Sequence, residues 1–360
     1  METRKTRSRM TFYVAIAVIG MLVLPHFSLP LMPAGTVKVS YGYGRLPRQP
    51  SEDRNGNDEK DDGELADYVD SNERKVARDP ESPWAGIIIP KGAVHKPVKV
   101  RVYETGWSED VTAPTMAKSV SSPFFFGAWA VQEGITVCEF DSPIAIEVSY
   151  AGKPVSESEE GRLALYMYDP VSRIWVKLHS VVDPYRNVVA GWVRYLKRVG
   201  LDKGNTLLAL FVHEPYSLEQ TVDSKGVTTI SWAEKGVSLH VPPGTVDVGS
   251  FFDMTSFSSD DVPPAGSPLK LGSTIVHVQA WNDTGGEMNN FSKSIAIEVG
   301  CPLEDLAEAE SKANLTIVTL KDGVWIDVED LGYKVTRGEK KLTVDTDYPG
   351  VFALAIKTLG

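Results

Sequence analysis

Internal duplication is the feature that most limits what this chain can fold into. The run FDSPIAIEV, Phe140 to Val148, returns as FSKSIAIEV, Phe291 to Val299, at an offset of 151. Upstream, Pro90, Gly92 and Val94 return as Pro242, Gly244 and Val246 at an offset of 152. Downstream, the run from Leu163 to Asp169 that leads to Trp175 matches the run from Leu315 to Leu320 that leads to Trp325. Each copy closes on an apolar run, Leu207 to Val212 and Val351 to Ile356, at an offset of 144. Four blocks in one order at nearly constant spacing mean that one folding unit occurs twice.

The blocks read as strands. Ile144, Ile146 and Val148 alternate with Ala145 and Glu147, and Ile295, Ile297 and Val299 alternate with Ala296 and Glu298, which gives each strand one apolar face. Asp169-Pro170 and Asp322-Gly323 supply turn chemistry ahead of the Trp-containing strands. Pro90 to Gly92 and Pro242 to Gly244 fit turns that end a strand, with glycine taking a positive φ. Helix is scarce; the best candidate runs from Pro302 to Lys312, between strands. The pattern predicts an all-β chain: two tandem antiparallel β-sandwich domains at 83–214 and 226–360, joined by the proline-containing stretch Val212 to Lys225.

The order of an apolar strand, Pro-x-Gly-small-Val, Phe-x-x-x-Ile-x-Ile, a Leu-x-Leu hairpin to Trp and a closing strand resembles the ZU module. That β-sandwich occurs in ankyrins, tight-junction scaffolds and netrin receptors, with looser relatives in exported bacterial proteins. The resemblance spans about residues 84–213 and 228–357. It implies a binding and scaffolding role. Some members of the family cleave themselves at a His-Phe-Ser inside the sandwich. Here His26-Phe27-Ser28 lies outside both copies, so autoproteolysis is not carried over, and the ankyrin repeats and death domain that usually accompany the module are absent.

The N-terminus reads as a targeting segment, residues 1–35. Arg4, Lys5, Arg7 and Arg9 precede an apolar run from Phe12 to Leu24, the order of an export signal. The run is shorter than the ~20 residues of a spanning helix, and no small-x-small cleavage site follows. Both a cleaved signal and a transmembrane anchor stay open. Either way the bulk of the chain is expected outside the membrane, secreted or anchored, in a bacterial envelope setting.

Residues 36–82 read as a disordered acidic linker. Between Ser51 and Ser82 stand twelve acids and five bases, so this stretch carries −7 of the chain's net −11. The folded part is therefore only mildly acidic. The balance argues against nucleic acid as a partner. Asp53, Asn55, Asn57, Asp61 and Glu64 fall at ligand positions of an EF-hand-like calcium loop. Asp58 stands where the loop needs glycine, and Lys60 where it needs an apolar residue. A solvated spacer is the better reading, and no metal or cofactor is expected.

Cys138 and Cys301 are the two cysteines and sit at non-equivalent points of the copies, so any bridge would have to join different modules. The six histidines, His26, His95, His179, His213, His240 and His277, form no recognisable catalytic motif. A hydrolase reading would need His213 and His240 to meet at the module junction; loop histidines are the commoner case. Glu147 and Glu298 hold one repeat position and read as outward charges. Trp175 and Trp325 are equivalent and expected in the sandwich cores. Trp84, Trp107, Trp129, Trp192, Trp232 and Trp281 show no counterpart. If exposed, they could form a platform for sugar rings, although tryptophan is more often buried. The expectation is a non-enzymatic interaction or structural protein of the envelope or cell surface. Its partner would be a protein or a cell-surface polymer, with membrane attachment through the N-terminal segment. Carbohydrate binding through exposed tryptophans is the alternative.

Overall fold

The computed structural model describes residues 68–69, 75–78 and 84–358, apart from 109–110, 131–132, 200–204, 214–216, 223–224, 248, 284 and 310. Residues 1–35, read from the sequence as a targeting segment, and the calcium candidates Asp53, Asn55, Asn57, Asp61 and Glu64 lie outside the described residues.

The chain is nearly all β, and its strands form four antiparallel sheets. In the first half, one sheet runs β1 (Tyr68–Val69), β4 (Val98–Glu104), β6 (Phe124–Ala130), β12 (Asn205–His213), β8 (Leu163–Asp169), β9 (Ile174–Lys177). A short β5 (Ala117–Ser119) also pairs with β12. The facing sheet runs β10 (His179–Asp183), β11 (Val188–Tyr195), β7 (Glu139–Ser149), β3 (Ala85–Ile89), β2 (Lys75–Arg78).

The second half repeats this order strand for strand. One sheet runs β13 (Ser217–Thr221), β16 (Phe251–Ser256), β17 (Leu269–Trp281), β23 (Gly350–Lys357), β19 (Leu315–Lys321), β20 (Val324–Asp327). The other runs β21 (Val335–Arg337), β22 (Lys341–Thr346), β18 (Ile295–Gly300), β15 (Val237–Val241), β14 (Thr228–Trp232). The start of β17 replaces β5: Leu269 pairs with Lys357 before a bulge that precedes Ile275. Register is kept as well. Ile146 lies opposite Ile87 in one half and Ile297 opposite Leu239 in the other. The repeat seen in sequence is a repeat of topology.

Each half has its own core between its two sheets. Ile87, Phe124, Phe126, Ile144, Ile146, Leu165 and Leu208 fill the first. Leu239, Phe252, Val278, Ile295, Ile297, Phe352 and Leu354 fill the second. Burying each such side chain contributes about 1.5–3 kcal/mol. The Pro-x-Gly turns behave as expected, with Gly92 at φ 78 and Gly244 at φ 72.

The outer faces of the sheets holding β12 and β23 are covered too. Ala164, Tyr166, Tyr168, Trp175 and Phe211 lie buried beside Val111 and Ala113. Val318, Leu320, Trp325, Val351 and Ala353 lie buried with Phe257 and Val262. Burial on both faces explains why β12 and β23 read as unbroken apolar runs. By contrast β18 keeps one less buried face and alternates.

Several details differ from the sequence reading. Trp175 and Trp325 are buried on these outer faces, under loops, and not between the sheets. Trp129 and Trp281 are counterparts after all. Trp129 bridges Thr136 and Trp281 bridges Glu287, each in the loop that follows its strand. Glu147 is buried and pairs with Arg186 at 3.2 Å, so it is no solubility charge. Glu298 is partly covered by His240 at 3.1 Å and Lys341 at 2.6 Å. The strands β1 and β2 lie upstream of residue 83, in the stretch read as linker, and pair with β4 and β3. Within the joining stretch, β13 pairs with β16 as the edge strand equivalent to β1. Composition misses such strands because backbone pairing to an existing edge needs few apolar side chains. The helix is α2 (Leu303–Glu308), with Pro302 just outside it; a one-turn α1 (Glu157–Glu160) precedes β8. Cys138 and Cys301 are both free thiols.

Candidate functional site: the seam and cleft between the halves

The two halves meet through a partly apolar, partly charged seam. Ile174 of β9 reaches into the cluster of Phe257, Val262, Ile275, Val318 and Leu320. The turn before β20 approaches the turn before β9 so closely that a Cβ on Gly323 would lie 2.3 Å from the Val171 carbonyl oxygen. With φ at 78, glycine is required there on both counts.

Beside this contact lies a cluster of buried polar groups. Lys177 Nζ stands 3.2 Å from Asp253 Oδ2, with the two side chains 8% and 0% exposed. Thr255 donates its hydroxyl to the same Asp253 oxygen at 3.2 Å. Gln279 donates Nε2–H to the Lys177 carbonyl at 2.9 Å, crossing the seam. At the edge of the cluster the exposed Lys197 pairs with Asp169 at 3.5 Å, unlike the enclosed Lys177 and Asp253. A buried pair such as Lys177 and Asp253 is a poor source of net stability, but losing one partner is costly.

Two histidines sit in the same place. The His179 ring lies 4.3 Å from Phe251, 5.1 Å from Trp192 and 5.9 Å from Trp281, centroid to centroid. Burial, joined by the charge of Lys177, brings its imidazole down to about 4, against the pull of Asp253. His277 is buried on β17, and burial brings it also to about 4, against Asp253 and Asp169. Nδ1 of both rings and Oε1 of Gln279 find no hydrogen-bond partner among the described residues. Burial pushes the Glu287 carboxyl up, with Lys197 opposing and Asp169 reinforcing. Burial likewise pushes the Tyr166 phenol well up, helped by Asp253.

The seam opens at one side into a cleft of about 220 Å³. Its walls are equivalent loops from the two halves, Val111 to Pro114 and Phe257 to Pro264, together with Tyr168, Arg173 and Trp175. Each loop is pinned in the same way. Trp175 donates its indole N–H to the Thr112 carbonyl at 2.8 Å, and Trp325 donates to the Pro263 carbonyl at 2.7 Å. The loops also meet directly, since Thr115 donates its backbone N–H and its hydroxyl to the Asp261 carboxylate at 2.7 and 2.9 Å. Thr112, Arg173 and Asp260 remain exposed around the cleft.

The sequence-predicted residues fall elsewhere. His240 pairs with Glu298 and Thr229 on the second half's other sheet. His213 ends β12 opposite Ala117. Among the described residues, no group of three or more His, Cys, Asp or Glu could hold a metal ion. No described helix is long and apolar enough to cross a membrane. Of the eight tryptophans, Trp107 alone is exposed, at 39%, and it stands edge-on to Trp175 at 5.9 Å.

Sequence reasoning missed the seam. One signal could have found it: Asp253 stands inside the run FFDMTSF, where a strand this apolar has no reason to carry a charge unless something pairs with it. Neither a protein-family model nor a curated protein matches the chain.

Proposed function

We propose that this chain is an exported, non-enzymatic interaction protein that acts at a cell envelope or surface. Its two halves work as one body and use the cleft between them for contact. The observation that carries this reading is the composition of the cleft. Equivalent loops from both copies, pinned by equivalent tryptophans, form it jointly, so it exists only because the unit is duplicated and docked. The titratable groups best suited to catalysis, Lys177, Asp253 and His277, are enclosed in the seam. What remains around the cleft, Thr112, Arg173 and Asp260, suits recognition. The resemblance to the ZU module points the same way, and the charged-then-apolar N-terminus supports export, secreted or anchored.

The test is capture from envelope extract by the purified chain, beside Arg173→Glu and Asp260→Lys variants. A partner that binds the native chain and not the variants is expected. A partner held equally by all three would remove the cleft from the proposal, and recovery of nothing under native conditions would sink the interaction reading.

Carbohydrate binding narrows to one place. Trp107 is exposed and packs against Trp175 in the cleft wall. Intrinsic fluorescence that responds to a cell-wall or plant glycan in the native chain and not in Trp107→Phe would favour it.

A further inference from the structure

The charged seam gathers titratable groups from both halves. His179 on β10 faces Lys177 from β9, Asp253 from β16, and the rings of Trp192, Phe251 and Trp281. His277 on β17 faces Asp253 from its own half, Asp169 and Lys197 from the other, and the Phe257 ring. Glu287, after β17, faces Lys197 and Asp169. Each histidine therefore owes part of its enclosure to the other half, and each would regain water if the halves separated.

We propose that protonation of His179 and His277 unlatches the two halves, so that the docked arrangement and the cleft it forms are lost on acidification while each half stays folded. The chemistry is simple. A protonated imidazole carries N–H on both nitrogens, and neither Nδ1 has an acceptor. The new charge also enters a site that already holds Lys177, with Lys197 close to His277. The undocked state, with its rings more exposed, takes up protons closer to the ordinary histidine value near 6.5, whereas the docked state resists until about 4. Docking is therefore fully present above about 6.5 and weakens as pH falls from there to about 4. If undocking returned His277 wholly to water, it alone would shift the docking equilibrium by about 300-fold, and at pH 5 by about 30-fold; the enclosure its own half retains makes these upper bounds, and His179, less covered, contributes less. Glu287 works in the opposite direction. Its raised carboxyl favours the docked state as pH falls, so it blunts the latch.

The latch does not depend on the cleft having a partner, so its test is separate. Donor and acceptor dyes are placed through Tyr185→Cys and Leu303→Cys, at exposed sites in the two halves, in the full chain in detergent with Cys138→Ser and Cys301→Ser. Energy transfer and far-ultraviolet circular dichroism are followed from pH 7.5 to 4. Transfer that changes between pH 6.5 and 4 with the β signal retained is expected. His277→Gln combined with His179→Gln should move the change to lower pH or abolish it, and Glu287→Gln should sharpen it. Superimposable profiles for the native chain and the double variant would overturn the proposal. So would transfer that is constant to pH 4, or that changes only together with loss of the β signal.

Discussion

Lys177 and Asp253 come from different copies of the repeat and form an ion pair at 3.2 Å with the carboxylate wholly enclosed. Their equivalents in the other copy are not a second such pair. By strand register Asp327 stands where Lys177 does, and it binds Lys357 of its own half at 2.7 Å. The duplication supplied two similar units, and divergence at a few outward positions made them fit each other.

Asp253→Ala should destabilise the chain by about 3–5 kcal/mol, because it leaves the Lys177 ammonium buried without its main counter-charge. Lys177→Met combined with Asp253→Leu should recover most of that loss. Urea unfolding followed by fluorescence measures both; equal midpoints for single and double variants would mean that the pair is not enclosed.

Trp175→Phe and Trp325→Phe should behave alike. Each removes the N–H that pins a loop, at Thr112 and at Pro263, and each should cost about 1–3 kcal/mol. Thermal unfolding by circular dichroism would show the equivalence, and a cost at one site alone would show that one loop has another anchor.

Gly323→Ala should cost more than Gly332→Ala. Both glycines have positive φ, 78 and 90, which penalises any side chain by about 1–2 kcal/mol. At Gly323 the added methyl also meets the Val171 carbonyl, whereas nothing lies within 4 Å of it at Gly332. The difference in unfolding midpoint isolates the contact between the halves.

Acidification should lower global stability through the same histidines that form the latch. Each binds its proton near 6.5 when unfolded and near 4 when folded, so stability falls as pH drops across that window and levels off below it. Chemical denaturation at pH 7, 5.5 and 4.5 reads the slope. His277→Gln should flatten it.

Both cysteines should titrate as thiols. Unfolded without reductant, the chain is expected to give two equivalents with Ellman's reagent, since Cys138 and Cys301 are unpaired. None would mean a bridge between the halves.

The sequence alone determined the duplication, the strands and the closing apolar runs. These rest on local signals: side-chain alternation, turn residues and Pro-x-Gly turns at φ values glycine tolerates. It missed β1, β2 and β13, because an edge strand needs a neighbour's backbone more than its own side chains. It also misplaced the tryptophans and the buried charges. Whether Trp175 lies between sheets or under a loop, and whether Asp253 meets water or Lys177, depends on which surface of a strand another part of the chain covers. That choice is made by contacts between residues far apart in sequence. The copies were legible one at a time; the seam that joins them came only from the tertiary structure.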